Sequence, residues 1–306
     1  MWKALYPFQS HWHRTSGGQL HYLDEGSGSP LLMVHGNPTW SFYWRNLIRA
    51  FRDEFRIVAP DHIGCGLSDK PAVYEYTLKQ HTENLLSLVE RLDLRGVTLL
   101  AHDWGGAIGL GAALRAADRF ARIVLFNTGA FPPPFVPARI LACRIPGFGA
   151  LAIRGFNAFA RAALSMAVHR PLAADVAEGL VAPYDNWRNR IATLRFVQDI
   201  PLTPRHPTWQ QLAWLEAGLP TLQSLPTMMI WGMRDWCFRP ECLQRLLVSF
   251  PRAEVHRLED ANHYVVEDAH EVIIPVVREF LQRTGAVPPQ SPPAAPLDKS
   301  GCNPLR

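Results

Sequence analysis

The sequence predicts an α/β fold: a mostly parallel central sheet flanked by helices, interrupted by an inserted helical lid. Short apolar strands alternate with helical segments from residue 30 to residue 127, as in right-handed β-α-β crossovers. The alternation stops after Asn127 and resumes at Pro226. We therefore expect four regions, namely core residues 1–130, a helical lid over 131–222, core residues 223–284 and a disordered Pro-rich tail over 285–306.

Apolar periodicity and turn residues place the individual elements. The chain alternates polar and apolar residues from Phe8 to Gly26 around Ser16-Gly17-Gly18, which predicts an antiparallel hairpin. Thr77 is a residue type that caps helix N-termini. Strands are expected at 30–34, 55–59, 97–101, 122–127, 226–231 and 253–258, and helices at 39–51, 76–92, 107–117, 138–168, 186–196, 241–250 and 271–282.

Composition narrows the class of protein. The chain has 306 residues and 48% hydrophobic content, enough for one large core with an insertion. Its net charge of +4 includes no dense Lys/Arg block, which argues against nucleic acid as a partner. Five cysteines without Cys-x-x-Cys spacing fit a reducing cytoplasm better than a disulfide framework. No segment has the pattern of a signal peptide or a membrane span, so we expect a cytoplasmic protein.

The start of the insertion is unusually basic. Residues 119–170 contain seven arginines and no Asp or Glu. The ordinary interpretation is solvated guanidinium groups whose stems lie on apolar neighbours. The alternative is a surface for an acidic partner or for a contact within a homo-oligomer.

The turn at Asp103 carries the clearest chemical signal. A buried strand over 97–101 runs into His102-Asp103-Trp104-Gly105-Gly106 and then into a helix of small residues. Ala101 and Gly105, two places either side of Asp103, let strand and helix approach while the central side chain is pushed outward. A carboxylate with an ordinary pKa of about 3.9 is ionised at neutral pH and can act as a nucleophile without a base. The competing interpretation of Asp103 is a helix N-cap.

Two further residues fall after strands in the order of a catalytic triad. Asp235 follows the first strand beyond the lid, and His263 follows the last strand. Because the carboxyl ends of parallel strands share one edge of the sheet, these side chains are expected to converge on Asp103. The alternatives are a turn or cap role for Asp235 and a structural role for His263, one of 12 histidines. Asp61 also ends a strand, but we expect it to brace its own glycine-containing loop.

Together these segments resemble the haloalkane dehalogenases of the α/β-hydrolase superfamily. The resemblance spans nearly the whole core, and part of the lid is also similar. The matching segments are His35-Gly36-Asn37-Pro38-Thr39, Asp61-His62-Ile63-Gly64, Gly66-Leu67-Ser68-Asp69-Lys70-Pro71, His102-Asp103-Trp104-Gly105-Gly106, Trp231-Gly232 with Asp235, Asn262-His263, Asn189-Arg190 and Arg195-Phe196-Val197-Gln198-Asp199-Ile200-Pro201.

The resemblance implies a two-step hydrolysis of a small haloalkane. Asp103 would displace halide to form an alkyl-aspartyl ester, with the Trp104 indole and the Asn37 amide donating to the leaving halide. His263 would then activate water, Asp235 would orient His263, and the backbone N–H groups of Asn37 and Trp104 would form the oxyanion hole. The resemblance implies no metal or cofactor. An acid at Asp235, combined with Asn37, is similar to the third branch of the family.

Two other functions compete. Epoxide hydrolases share the Asp103, His263 and Asp235 set but usually take two tyrosines from the lid, and only Tyr184 lies between Pro132 and Pro226. A non-catalytic small-molecule binder on the same fold is the second alternative, although an intact set of three catalytic residue types argues against it.

Overall fold

The computed structural model describes residues 1–285, and one eight-stranded sheet forms its centre. In chain order the strands are β1 (Ser10–Thr15), β2 (Gly18–Glu25), β3 (Pro30–Val34), β4 (Arg56–Pro60), β5 (Val97–Asp103), β6 (Phe120–Thr128), β7 (Thr227–Gly232) and β8 (Glu254–Leu258). They lie in the order β1-β2-β4-β3-β5-β6-β7-β8. The β1–β2 and β2–β4 pairs are antiparallel and all other pairs are parallel, which confirms the predicted fold class.

Helices cover the sheet and fill the interval between β6 and β7. They are α1 (Arg45–Phe51), α2 (Leu78–Arg91), α3 (Trp104–Arg115), α4 (Ala138–Ala142), α5 (Phe148–Ala150), α6 (Ala158–Met166), α7 (Ala174–Val181), α8 (Ile191–Asp199), α9 (Pro207–Gly218), α10 (Pro240–Ser249) and α11 (Val265–Thr284). Thr77 accepts the N–H of Gln80 and caps α2, as predicted. No helix within residues 1–285 is long and apolar enough to cross a membrane.

Alternation along the strands divides the core into two layers. Leu32 and Val34 of β3 face a cluster formed with α2, α3, α9 and α10. Leu31 and Met33 face the opposite cluster, formed with α1 and α11. Successive side chains of a strand point to opposite faces, so a fully buried parallel strand supplies both layers.

The lid region differs most from its predicted form. The helix expected over 138–168 is divided into α4, α5, a π-helical turn (Leu151–Gly155) and α6, with Gly147 at φ +75° between the first two. Helices α7 and α9 were not predicted. Only Thr208, Leu212 and Leu215 of α9 are buried while Trp214 is exposed, so its apolar periodicity is weak. The predicted tail begins at the last described residue, and 286–306 lie outside the described chain.

The last helix begins earlier than predicted. It was expected from Glu271 but starts at Val265. Non-helical φ/ψ angles at Ala269 form a kink, and the predicted helix corresponds to the part of α11 beyond this kink. Asp268, in its first turn, accepts N–H groups from His169, Arg170 and Asn262. The helix start thereby ties the His263 loop to the lid.

A sharp turn joins β5 to α3. Asp103 has φ +53°, a conformation that costs a non-glycine residue about 1–3 kcal/mol and persists only where surrounding contacts enforce it. The helix begins at Trp104 rather than at the expected Ala107. A Cβ on Gly105 would collide with the Val34 carbonyl, and one on Gly36 would collide with the Asp103 carboxylate. The small residues therefore permit the close packing that presents Asp103.

Candidate active site

The carboxylate of Asp103 is held by one oxygen and free at the other. Its Oδ1 accepts the backbone N–H of Asn37 at 2.7 Å, and the Trp104 N–H also interacts with the carboxylate. Its Oδ2 lies 3.7 Å from Nε2 of His263. The side chain makes no capping hydrogen bond to α3, so the geometry does not fit the alternative role of a helix cap. Oδ1 is thus oriented by the Asn37 N–H, and Oδ2 lies on the side of His263.

Burial and hydrogen bonding oppose each other at Asp103. Burial raises the pKa of Asp103, while the charge of His263 and the N–H groups of Trp104 and Asn37 lower it, leaving the pKa raised overall. Loss of water around a carboxylate disfavours its charged form, and donated N–H bonds favour it. The same N–H groups that orient the carboxylate therefore help to keep it ionised.

His263 lies between the two predicted carboxylates. Its Nδ1 is 2.8 Å from Oδ2 of Asp235, and both side chains are buried. Burial lowers the pKa of His263, but the charge and hydrogen bond of Asp235 and the charge of Asp103 outweigh this effect and raise the pKa overall. A proton on Nδ1 donated to Asp235 leaves Nε2 facing Asp103 as an acceptor. The structure thus brings together the three residues expected to form the triad.

Asn127 fixes Asp235 and was missed in the sequence analysis. Its Nδ2 donates to Oδ2 of Asp235 at 3.0 Å, and its Oδ1 accepts the N–H of Gly232 at 2.7 Å. The N–H of Cys237 donates to the other oxygen of Asp235 at 2.6 Å. Asn127 is the penultimate residue of β6, the strand next to β7, and this position near a strand end was the available signal.

Two other acids, Asp260 and Asp61, have partners away from Asp103. Asp260, a nearby competitor of Asp235, is exposed and pairs with Arg234 at 2.7 Å. Asp61 is buried and accepts the N–H groups of Ser41 and Leu67. It also contacts His21 at 2.8 Å, so it braces its loop away from Asp103.

Asn37 and Trp104, the predicted anion donors, flank Asp103 in the wall of a cavity of about 430 Å³. Asn37 Nδ2 donates to the Thr193 carbonyl at 3.3 Å, and an amide nitrogen carries a second hydrogen for another acceptor. Asn37 Oδ1 is buried with no partner among the described residues. The Trp104 ring packs 5.5 Å from that of Phe196.

The cavity is apolar apart from its catalytic end. Its volume lies in the usual range for small-molecule sites. The lid aromatics Phe131, Phe135, Phe148 and Phe159 line it. Phe156 and Trp187 are exposed at the lid surface instead. The arrangement presents to the cavity one carboxylate, the polar groups of Asn37 and Trp104, and one imidazole.

The role of Asp235 can be tested through the pKa of His263. Replacing Asp235 with Asn keeps the shape of the side chain but removes the charge that raises the pKa of His263. NMR titration of the His263 ring should therefore show a lower pKa in Asp235→Asn. The matched control is Asp260→Asn, at an exposed carboxylate in the loop that also carries His263. This variant should leave the pKa of His263 unchanged. An equal pKa in wild type and Asp235→Asn would exclude Asp235 as the partner of His263.

Comparison with known proteins shows the family to which the chain belongs. A model of the alpha/beta hydrolase fold family matches residues 29–269. The chain is 43% identical over 301 residues to a cis-3-alkyl-4-alkyloxetan-2-one decarboxylase of Shewanella oneidensis, covering 96% of this chain and 95% of the relative. A protein of the same name from Xanthomonas campestris is 44% identical over 280 residues, covering 87% and 93%.

Haloalkane dehalogenases are also similar. Haloalkane dehalogenase 2 of Mycobacterium tuberculosis is 36% identical over 282 residues, covering 90% of this chain and 96% of the relative. The crystal structure of the haloalkane dehalogenase DatA from Agrobacterium tumefaciens superimposes with a TM-score of 0.82 at 27% identity, covering 90% and 97%. The chain is therefore an enzyme of the haloalkane dehalogenase family within the α/β-hydrolase superfamily.

Proposed function

We propose that Asp103 displaces an oxygen leaving group from a saturated carbon, and that the substrates are β-lactones with two alkyl chains. The observation that carries the proposal is that the two oxygens of one carboxylate have different surroundings: Oδ1 accepts the Asn37 N–H at 2.7 Å, and Oδ2 lies 3.7 Å from Nε2 of His263 at the catalytic end of the cavity. The substrate class is supported by the two relatives named cis-3-alkyl-4-alkyloxetan-2-one decarboxylase. An apolar cavity of about 430 Å³ suits two alkyl chains.

In the first step, Oδ2 of Asp103 attacks the ring carbon that carries the ring oxygen, C4. A bond forms between Oδ2 and C4 while the C4–oxygen bond breaks, and its electron pair passes to the departing lactone carboxylate. The Asn37 amide and the Trp104 indole, which we propose as anion donors, would stabilise this developing charge. Charge stabilisation by preoriented donors is strong in an enclosed apolar site.

The second step releases carbon dioxide and needs no water. The bond between C3 and the carboxylate breaks, and its electrons form the C3–C4 double bond. The bond from C4 to Asp103 breaks at the same time and returns its electron pair to the aspartate. The first step inverts the configuration at C4. In the second step the carboxylate on C3 and the Asp103 oxygen on C4 leave from opposite faces. The two effects compensate, so a cis lactone gives a cis alkene. Asp103 is regenerated, and protons balance without a base.

Hydrolysis of haloalkanes is the second candidate, favoured by a specific feature of the site. The 3.7 Å gap between His263 and Asp103 exceeds a direct hydrogen bond, and His263 is oriented by Asp235 as a general base requires. Halide would leave in the first step, and water activated by His263 would then attack the ester carbonyl. The N–H groups of Asn37 and Trp104 would stabilise the resulting oxyanion.

Epoxide hydrolysis receives less support from the lid. Tyr184, the one tyrosine between Pro132 and Pro226, is fully buried and its hydroxyl donates to the Thr39 carbonyl at 3.3 Å. It does not line the cavity beside Asp103. A role for Tyr184 in protonating an epoxide oxygen therefore lacks a geometric basis.

Variants of Asp103 and His263 separate the two reactions. Asp103→Ala should abolish alkene formation from a cis-dialkyl β-lactone and bromide release from a 1-bromoalkane, because both need the nucleophile. His263→Phe should suppress steady-state bromide release at least 100-fold more than alkene formation, because only hydrolysis requires activated water. Gas chromatography of the alkene and a bromide assay measure the two products.

His256→Phe is the matched control for these assays, because His256 lies in β8 and pairs with Glu254 away from the cavity. It should preserve both activities. Alkene formation undiminished in Asp103→Ala would refute the proposed nucleophile, and no alkene from wild type would refute the lactone as substrate.

The pH dependence should differ between the reactions for the same reason. Hydrolysis of the ester needs neutral His263, so kcat for bromide release should fall as the pH falls through the pKa of His263, which burial lowers and Asp235 raises. Decarboxylation needs only ionised Asp103, which protonated His263 stabilises, so it should persist to lower pH. Profiles of kcat measured on both substrates test this, and an acidic limb of kcat at the same pH for both would contradict the water-free second step.

A further inference from the structure

The first half of the lid is apolar on its outer surface. Leu141, Ile145, Phe148, Leu151 and Phe156 are all exposed, Phe156 to 69%. These five residues, which we call the lid ridge, recur at spacings of three to five residues along α4, α5 and the π-helical turn. A contiguous apolar surface on a folded protein usually marks an interaction site.

The ridge cannot be explained as the core side of the lid. A different set of residues on the same segment performs that role, because Ile140 and Ile153 pack against Leu194 and Val197. The segment is therefore apolar on both sides, and one of them faces solvent.

Basic side chains accompany the ridge. Arg161 is exposed, and Arg154 stacks at 4.5 Å on Trp187, which is itself exposed. Leu151 of the lid ridge and Trp187 both border the space beside Gly155, so the exposed Trp187 ring adjoins the ridge. Arg144 is occupied by carbonyls of the α8 C-terminus and does not contribute a free charge. Residues 119–170 contain no Asp or Glu, and Asp185, which lies close to Trp187 in the chain, accepts hydrogen bonds from the side chains of Asn186 and Asn189.

The ridge also connects to the cavity. Phe148 is 55% exposed and at the same time lines the cavity wall, together with Arg139. An apolar molecule resting on the outer surface therefore has an apolar route inward. A substrate with two alkyl chains would partition into lipid rather than water.

We propose that the lid ridge, with Arg154, Arg161 and Trp187, is a docking surface for an anionic lipid membrane, from which apolar substrate enters the cavity. Aromatic and aliphatic side chains would enter the interfacial layer, and the guanidinium groups would contact anionic headgroups. The entry of substrate rests on the proposed function, whereas membrane binding itself does not.

The proposal is tested by sedimentation of the full chain with vesicles. Wild type should bind vesicles containing phosphatidylglycerol, bind pure phosphatidylcholine at least tenfold more weakly, and be released by high salt. The double variant Leu151→Glu, Phe156→Glu should lose at least tenfold in affinity. Arg161→Gln should lose roughly fivefold, the factor expected from one basic side chain near a charged surface.

Val73→Glu and Val248→Glu provide matched controls, since both residues are exposed and lie outside the lid. They should bind as wild type does, and circular dichroism melts should show that all variants are folded.

Vesicle sedimentation does not depend on catalysis, so an inactive but lipid-binding enzyme would refute only the proposed function. The proposed docking surface would be overturned if wild type did not bind anionic vesicles. It would also be overturned if the control variants lost as much affinity for vesicles as the ridge variants. Sedimentation velocity showing a dimer that only the ridge variants dissociate would instead assign the ridge to a second copy, and would also overturn it.

Discussion

The hydrogen bond from the Asn37 N–H to Oδ1 of Asp103 is the interaction on which the site depends. A buried carboxylate loses its hydration and tends to become protonated unless donors replace the water. Here the backbone supplies those donors at the turn after β3 and at the start of α3. Because main-chain groups belong to the sheet framework, the carboxylate is oriented before any substrate enters. The fold thus holds the Asp103 carboxylate in one defined orientation, as the proposed nucleophile requires.

The remainder of the site follows from the parallel strands. Asp103, Asn127, Asp235 and His263 all follow or end strands on the same side of the sheet, and β5, β6, β7 and β8 are successive neighbours. Asn127 is central here, because it links the ends of β6 and β7 and holds Asp235 toward His263. The chain of contacts from Asn127 through Asp235 to His263 therefore runs across three adjacent strand ends.

The sequence contained enough information for the fold and for the candidate residues, but not for the lid. Buried parallel strands are short apolar runs, and the turn at Asp103 has a steric requirement visible in Ala101 and Gly105. The lid lacks such constraints: α9 is weakly amphipathic, and the segment over 138–156 is apolar on two sides, so periodicity could not locate its breaks. Asn127 was missed because a single amide carries no motif. Its importance comes from hydrogen bonds to a strand that is distant in sequence. The side-chain roles assigned to Asn37 and Trp104 stay predictions, supported by their place beside Asp103.

The two proposed reactions, lactone opening and carbon–halogen cleavage, would share one first step: attack by Asp103 on a saturated carbon as an anion departs toward the same donors. The most direct measurement of this central claim is peptide mass spectrometry of His263→Phe after incubation with a 1-bromoalkane. The account predicts that the peptide containing Asp103 gains the mass of one alkyl group in place of a proton, with the modification on Asp103. An unmodified Asp103 in a variant that continues to release bromide, or an alkyl group on another residue, would contradict it.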